Sequence, residues 1–330
     1  MSNSFISKET LVKILAGLAK SEDYAVFAPV RKGKALDFAE IADGDEIVMS
    51  DEITYKSPKE ALLPQVEQLM SFKDGEITEN IHERKTVIFG AKPCDAEALR
   101  VLHAILSSGK FEDPFYKRRF DGSILIAVGC VEEKPGCFCG RRGFDKAFSD
   151  FSDIMLNECD GGYTASYISE KGKSFLGDFD ETKDVEASQR NTAAVTENIL
   201  ELDKNLDDVR LFDVIDWGKA TEICQGCGMC TFICPSCHCF DIKDVTERGE
   251  TKRYRCWDSC IYPKFTLHAS GHNPRAAIKE RFRQRVLHKY LYINKNFGYT
   301  ACTGCGRCIR SCPAGMNIKK VVESIMEVLQ

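Results

Sequence analysis

Residues 224–240 read CQGCGMCTFICPSCHCF, and residues 302–316 read CTGCGRCIRSCPAGM. Cys224, Cys227, Cys230 and Cys234 stand at the same relative spacing as Cys302, Cys305, Cys308 and Cys312, and Pro235 or Pro313 follows each fourth cysteine. The chain holds 17 cysteines in 330 residues. Its N-terminus, MSNSFISKETLVKILAGLAKSEDY, has an acidic residue ahead of the apolar stretch and no small-residue cleavage site, so it reads as an amphipathic helix and not a signal peptide. A cytoplasmic location is expected, and in a reducing compartment this many thiols point to metal or redox chemistry, not to disulfides.

The spacing C-x2-C-x2-C-x3-C-P is the run of bacterial ferredoxins, in which three nearby thiolates hold one [4Fe–4S] cube and the fourth crosses to the other. By that rule Cys224, Cys227, Cys230 and Cys312 form a first ligand set, and Cys302, Cys305, Cys308 and Cys234 a second. Gly226, Gly228, Gly304 and Gly306 let the backbone bend so that N–H groups point at the sulfurs. Zinc also uses C-x2-C pairs, but as two pairs far apart, without a third cysteine two residues on. A zinc-stapled assembly protein is the structural alternative.

Working outward, the chain is long enough for two domains. Short apolar runs at 86–90 (TVIFG) and 123–129 (SILIAVG) predict buried strands, with a helix at 96–106 between them. Ser57-Pro58-Lys59-Glu60 reads as a capping box opening a helix through about Met70. The first domain, residues 1–210, is therefore expected to be α/β-like. The acidic, polar stretch from 178 to 210 places the boundary.

From Trp217 onward strand signals fade. Ile278, Phe282, Val286 and Tyr290 recur every four residues and predict a helix ending at Gly298, and NIKKVVESIMEVLQ predicts another. Cys234 and Cys302 are 68 positions apart, more than in a compact bacterial ferredoxin. Residues 211–330 are thus expected to be an all-α, helical ferredoxin-like domain carrying two [4Fe–4S] clusters, in a chain that is α+β as a whole.

Residues 241–330 hold 17 Lys+Arg against 8 Asp+Glu, whereas the whole chain has a net charge of −5. Arg281, Arg283, Arg285 and Lys289 are candidates for offsetting the negative charge of clusters. A solvated helix face is the bland reading of any one of them. The acidic chain shows no recognition fold for nucleic acid. No apolar run approaches the roughly 20 residues of a membrane span. Neither a Ser-His-Asp arrangement nor a glycine-rich nucleotide fingerprint is present.

Cys94, Cys130, Cys137 and Cys139 each follow a predicted strand directly or lie in the next loop, where a scaffold places functional groups. Their spacing matches no standard motif, so a third cluster and buried free thiols both remain open. Asp95 is either a carboxylate ligand or an N-cap. Cys237, Cys239, Cys256 and Cys260 suit a further metal or a shield for the nearest cluster, and His238 between two of them is the one suggestive histidine. Reduction of a sulfur compound at Cys94 or Cys137 is the enzymatic alternative.

VIFGAKPCDAEAL, FEDPFYKRRF, GCVEEKPGCFCG, CPSCHCFDIKDV, CWDSC and HNPRAAIKERFRQRVLHKY occur in this order between about Ser57 and the C-terminus. Together they resemble the A subunit of anaerobic sulfite reductase and the beta subunit of soluble cytoplasmic sulfhydrogenases. The resemblance implies an electron-transfer subunit, not catalytic by itself, between a flavin- and NAD(P)-binding reductase subunit and a catalytic redox subunit. Sulfite reductase, NiFe hydrogenase and heterodisulfide reductase are the catalytic types so served. It also implies a third [4Fe–4S] cluster at Cys94, Cys130, Cys137 and Cys139. Cys237, Cys239 and Cys260 fit the family pattern, and Cys256 departs from it.

Overall fold

The computed structural model describes residues 3–42, 45–108, 111–177, 200–203, 205–206 and 208–329. Eleven strands are named here in chain order: β1 Asn3–Ser7, β2 Tyr24–Lys32, β3 Ala35–Glu40, β4 Val66–Lys73, β5 Glu76–Glu79, β6 Lys85–Ala91, β7 Ser123–Val128, β8 Ile154–Cys159, β9 Gly162–Tyr167, β10 Phe240–Glu247 and β11 Glu250–Trp257.

Both predicted apolar strands form, as β6 and β7, in the middle of a seven-stranded sheet ordered β1-β9-β8-β7-β6-β2-β3. Its centre, from β2 through β6 and β7 to β8, is parallel, and its edge pairs are antiparallel. Side chains alternate across a strand, so Val87, Phe89, Ile124, Ile126 and Val128 pack on one face with Leu11 and Leu15 of the helix Lys8–Ala19. Ile88 and Leu125 face the other way, toward Leu99 and Leu102 of the helix Pro93–Ser107 and Tyr116 of the helix Pro114–Asp121. Covering both faces explains why the strands read as unbroken apolar runs.

The helix expected from Ser57 to Met70 is a single turn, Lys59–Leu62, and β4 follows at once. Pro64 is the cause: it lacks an N–H and forces the residue before it out of the helical region, which ends the helix. The capping box does not form either, because the Ser57 hydroxyl has no hydrogen-bond partner.

A second correction falls on the C-terminal part, which is not all-α. β10 and β11 form an antiparallel hairpin across Arg248 (φ 51°) and Gly249 (φ 80°), the two left-handed positions of a tight hairpin turn. β11 pairs in turn with β4, giving a four-stranded antiparallel sheet ordered β10-β11-β4-β5. A buried charge network ties this sheet to the helix at 114–121. Glu67 accepts from Arg255 Nε at 3.1 Å and from Arg119 Nη1 at 2.5 Å, and Arg255 also reaches Asp113.

Most of the expected helix at 275–298 is present as Ile278–Leu287 and Ile293–Phe297, and it stops at Gly298 with φ 73°. Between its halves His288–Tyr292 is a π-helical turn. The widened turn accommodates a stripe repeating every four residues instead of 3.6. Phe282, Val286 and Tyr290 bury that stripe against Ile318, Val322 and Ile325 of the last helix, Ile318–Leu329, and against Phe138 from the first half of the chain. Most of the expected boundary segment, residues 178–199, lies outside the described residues. No helix among the described residues is long and apolar enough to cross a membrane.

Replacing Glu67 by alanine leaves two buried arginines short of their shared carboxylate, so Glu67→Ala should cost about 3–5 kcal/mol, measured as an earlier urea midpoint. The exposed pair between Arg253 and Asp244 should show no such effect in Arg253→Ala.

Candidate iron–sulfur centres

The two cysteine runs fold alike. Gly226, Gly228, Gly304 and Gly306 have φ of 68°, 75°, 69° and 72°, left-handed values that other residues rarely adopt. The second glycine of each pair opens a one-turn helix, Met229–Phe232 or Arg307–Arg310. Space is short at these turns as well: a Cβ on Gly306 would sit 2.4 Å from the Gly136 carbonyl oxygen.

Cys224, Cys227 and Cys230 line one cavity together with Cys308 and Cys312, which arrive from the other run; Phe282 and Arg285 are also part of its wall. The cavity thus brings together the four cysteines expected as the first ligand set, with Cys308 of the expected second set beside them. Among the described residues no three His, Cys, Asp or Glu side chains converge as a site for a single metal ion, and the thiols ring open space instead.

The second set is buried more deeply. Burial pushes the Cys305 thiol up to about 11 and the Cys308 thiol up to about 12; the negative charges of Cys234, Cys302 and Cys305 add to the rise at Cys308, and Arg285 works against it. The four thiols therefore lie within each other's electrostatic reach. A cluster ligand is a thiolate, so binding at these positions is coupled to loss of protons.

The cations around this set carry the test of fit. Lys59, Arg142, Arg285 and Lys289 are only 2%, 5%, 3% and 3% exposed, and none forms an ion pair with a carboxylate among the described residues. Lys59 Nζ donates to the carbonyls of Phe232 and Cys237 at 3.2 and 3.0 Å and lies 3.8 Å from the centre of the Trp257 ring. Lys289 Nζ donates to Ser236 Oγ at 2.7 Å, Arg142 Nε to the Cys302 carbonyl at 2.9 Å, and Arg285 Nη2 to the Cys230 carbonyl at 3.3 Å. Arg142 Nη1, Arg285 Nε and the Tyr290 hydroxyl are buried with no hydrogen-bond partner. The Tyr290 hydroxyl stands close to the Cys302 thiol, short of hydrogen-bond geometry. Buried charge without an opposite charge costs several kcal/mol, so this site calls for an anion. Sulfide and thiolate sulfur supply both the negative charge and the missing acceptors, and the residues fit a [4Fe–4S] group.

The third group lies where β6 and β7 end. Cys94 occupies the first turn of the helix after β6, and Cys130 follows β7 by two residues. The carboxyl ends of parallel strands are where open α/β sheets place ligands. Cys137 and Cys139 come from the next loop, which is pressed on the second run: Phe138 N donates to the Gly304 carbonyl at 2.8 Å and Cys137 Sγ to the Cys305 carbonyl at 3.4 Å. Burial raises the Cys130 thiol to about 11, with Cys137 among its neighbours, and Cys94 and Cys139 pack against Cys305. Asp95 takes the capping role, accepting from Lys92 N at 3.2 Å, and forms a fully buried two-pronged ion pair with Arg307.

Cys237 and Cys239 gather near Cys234 and Cys260 at the base of the hairpin. A hydrogen bond with Cys260 lowers Cys239 to about 7, against its burial. The His238 and His288 rings are 5.5 Å apart, and burial lowers both to about 4. Cys256 lies on β11 and Cys159 on β8, both half-buried. Of the basic residues expected to face clusters, Arg285 and Lys289 do so. Arg281 instead donates to the carbonyls of Ile261, Arg275 and Ala276, and Arg283 stacks on Phe212. Sequence reasoning missed Lys59, Arg142, Tyr290 and Arg307. Only Arg307, inside CTGCGRC, had a motif to mark it.

Two cysteine runs that exchange their fourth members around a common centre define a dicluster ferredoxin-type protein, and the model of the 4Fe-4S dicluster domain family matches residues 223–316. The beta subunit of sulfhydrogenase 2 from Pyrococcus furiosus is 32% identical over 315 residues, which are 92% of this chain and 93% of that one. The chain belongs to this family of iron–sulfur, electron-transfer proteins. No solved structure matches it.

Because Gly306 is both left-handed and jammed against Gly136, Gly306→Ala should lower the iron content and visible absorbance of anaerobically purified protein. Gly315→Ala, at φ 73° but facing open space, should leave both near the parent values.

Proposed function

We propose that this chain is an electron-transfer subunit of a cytoplasmic anaerobic oxidoreductase complex. It relays single electrons between a flavin- and NAD(P)-binding reductase subunit and a catalytic redox subunit, of the hydrogenase type that the name of the Pyrococcus relative indicates. The observation that carries the reading is the cavity where Cys224, Cys227 and Cys230 of the first run meet Cys308 and Cys312 of the second. Cys302, Cys305, Cys308 and Cys234 hold the second centre, and Cys94, Cys130, Cys137 and Cys139 the third. Bound at these cysteines, [4Fe–4S] clusters supply one-electron redox chemistry.

The chain's own residues do the rest. The left-handed glycines fix the tight turns of both runs, and Met316 N donates to Cys312 Sγ at 3.3 Å, a hydrogen bond of the kind that tunes a cluster. The apolar core of Phe138, Trp217, Phe282 and Tyr290 excludes water beside the first two centres. Phe138 and Cys137 hydrogen-bond to the second run, and Arg310 of that run donates back to the Pro135 carbonyl at 2.9 Å, which holds the third centre next to the second in a row with the second in the middle. Cys227 is exposed, so the first centre lies nearest solvent.

Iron and acid-labile sulfide counted on anaerobically purified protein test this reading. Three centres give about twelve irons per chain and two give about eight. Cys94→Ala should remove about four irons and leave about eight. An unchanged count would remove the third centre, and a colourless protein holding zinc in place of iron would overturn the whole reading.

A further inference from the structure

Taking the three centres proposed above as given, we propose that Lys59, Arg142 and Lys289 make the second centre the one of highest reduction potential, so that the middle of the row takes the first electron.

The cations are distributed unevenly. Around the second set stand the three residues just named, all buried and none facing a carboxylate among the described residues, with Arg285 shared between the first and second sets. Lys289 is buried with its Nζ 2.7 Å from Ser236 Oγ, two residues beyond Cys234. The third set is surrounded by compensated charge. Arg307 is neutralised by Asp95, and Lys134 pairs with Asp51 at 2.6 Å. Glu133 accepts from Cys139 Sγ at 3.2 Å, adding a negative charge against that set. Lys92 Nζ donates to the Ser50 carbonyl at 3.0 Å, and Arg310 Nη1 approaches Cys137 Sγ at 3.5 Å; these are its remaining cations. Near the first set Arg285 is the one cation among the described residues that lines the cavity with the cysteines, and the exposure of Cys227 lets water screen the field there.

Reduction adds one negative charge to a centre. In a low-dielectric interior a fixed cation nearby favours that added charge, and a fixed carboxylate opposes it. The second set has the former, while the carboxylate beside its Cys305, Asp95, is paired with Arg307; the third has both in near balance. Of the second set's cations, Lys59 comes from the first half of the chain and Arg142 from the loop beyond the third set. The potential of a centre in the C-terminal run is thus governed in part by the N-terminal fold. An electron entering at either end falls to the middle first, and onward transfer waits for a second.

An anaerobic redox titration of the full, iron-loaded chain, followed by electron paramagnetic resonance, tests this. Cys94→Ala and Cys227→Ser identify the signals of the third and first centres. The remaining signal should appear first as the potential is lowered. In Lys289→Met it should shift to a more negative potential while the other two stay, and Glu133→Gln should move only the third to a more positive one. Should Lys289→Met fail to retain iron, Lys59→Met provides the same comparison. If the signal that appears first is the one lost in Cys94→Ala, or if the loaded lysine variant leaves every midpoint in place, the proposal is wrong while the three centres stand. An iron count below about twelve per chain in the parent would instead strike at the three-centre reading itself.

Discussion

Positive charge sealed away from water without carboxylate partners is the constraint on which the C-terminal half depends. Lys59, Arg142 and the helical pair Arg285 and Lys289 come from three separate places in the sequence and meet around the cysteines of the two runs. Burial lowers Lys59 to about 8, because two backbone carbonyls and the Trp257 ring replace water only in part around its ammonium. A protein core assembled only from apolar contacts would not gather such residues, because each costs more to bury than its packing returns. They are consistent with a core that closes around an anion, so folding of this half and occupancy of its cysteines are linked.

The same constraint explains why two architectures are joined so closely. The parallel sheet presents Cys94 and Cys130 at its carboxyl edge, and the loop with Cys137 and Cys139 lies against the second ferredoxin run through backbone hydrogen bonds. The buried pair of Arg307 and Asp95 adds orientation: it joins the one-turn helix of the second run to the helix that carries Cys94. Removing either partner would leave the other charge buried alone, so the pair resists any slippage between the two sets. The hairpin of β10 and β11, pairing with β4, performs a similar task on the opposite side, near Cys237, Cys239 and Lys59.

Much of this was legible in the sequence because the signals are local. Spacing within fifteen residues identified the two runs, the glycines flanking the second cysteine of each run marked the tight turns, and the unbroken apolar runs TVIFG and SILIAVG foretold buried strands. The failures also have local causes. A single proline, Pro64, overrode the helical pattern of Lys59 to Met70. The hairpin at 240–257 was hidden because β10 is exposed along its whole length, so its alternation carries little apolar contrast. Its clearest signal, Arg248-Gly249 between two extended runs, is a turn and not a strand feature.

What could not have been read is the arrangement of charge. Nothing near Lys59 in SPKEALL marks it as a cation that will lie beside Cys237; its role exists only once β4 has brought that segment to the hairpin. The basic excess of residues 241–330 was visible, but not its division between Arg281, spent on backbone carbonyls, Arg283, stacked on an aromatic ring, and the two residues that face the cysteines. Ligand identity is a property of sequence spacing, whereas the electrostatic environment of a centre is a property of tertiary structure. Two chains with identical cysteine runs can therefore order their potentials differently.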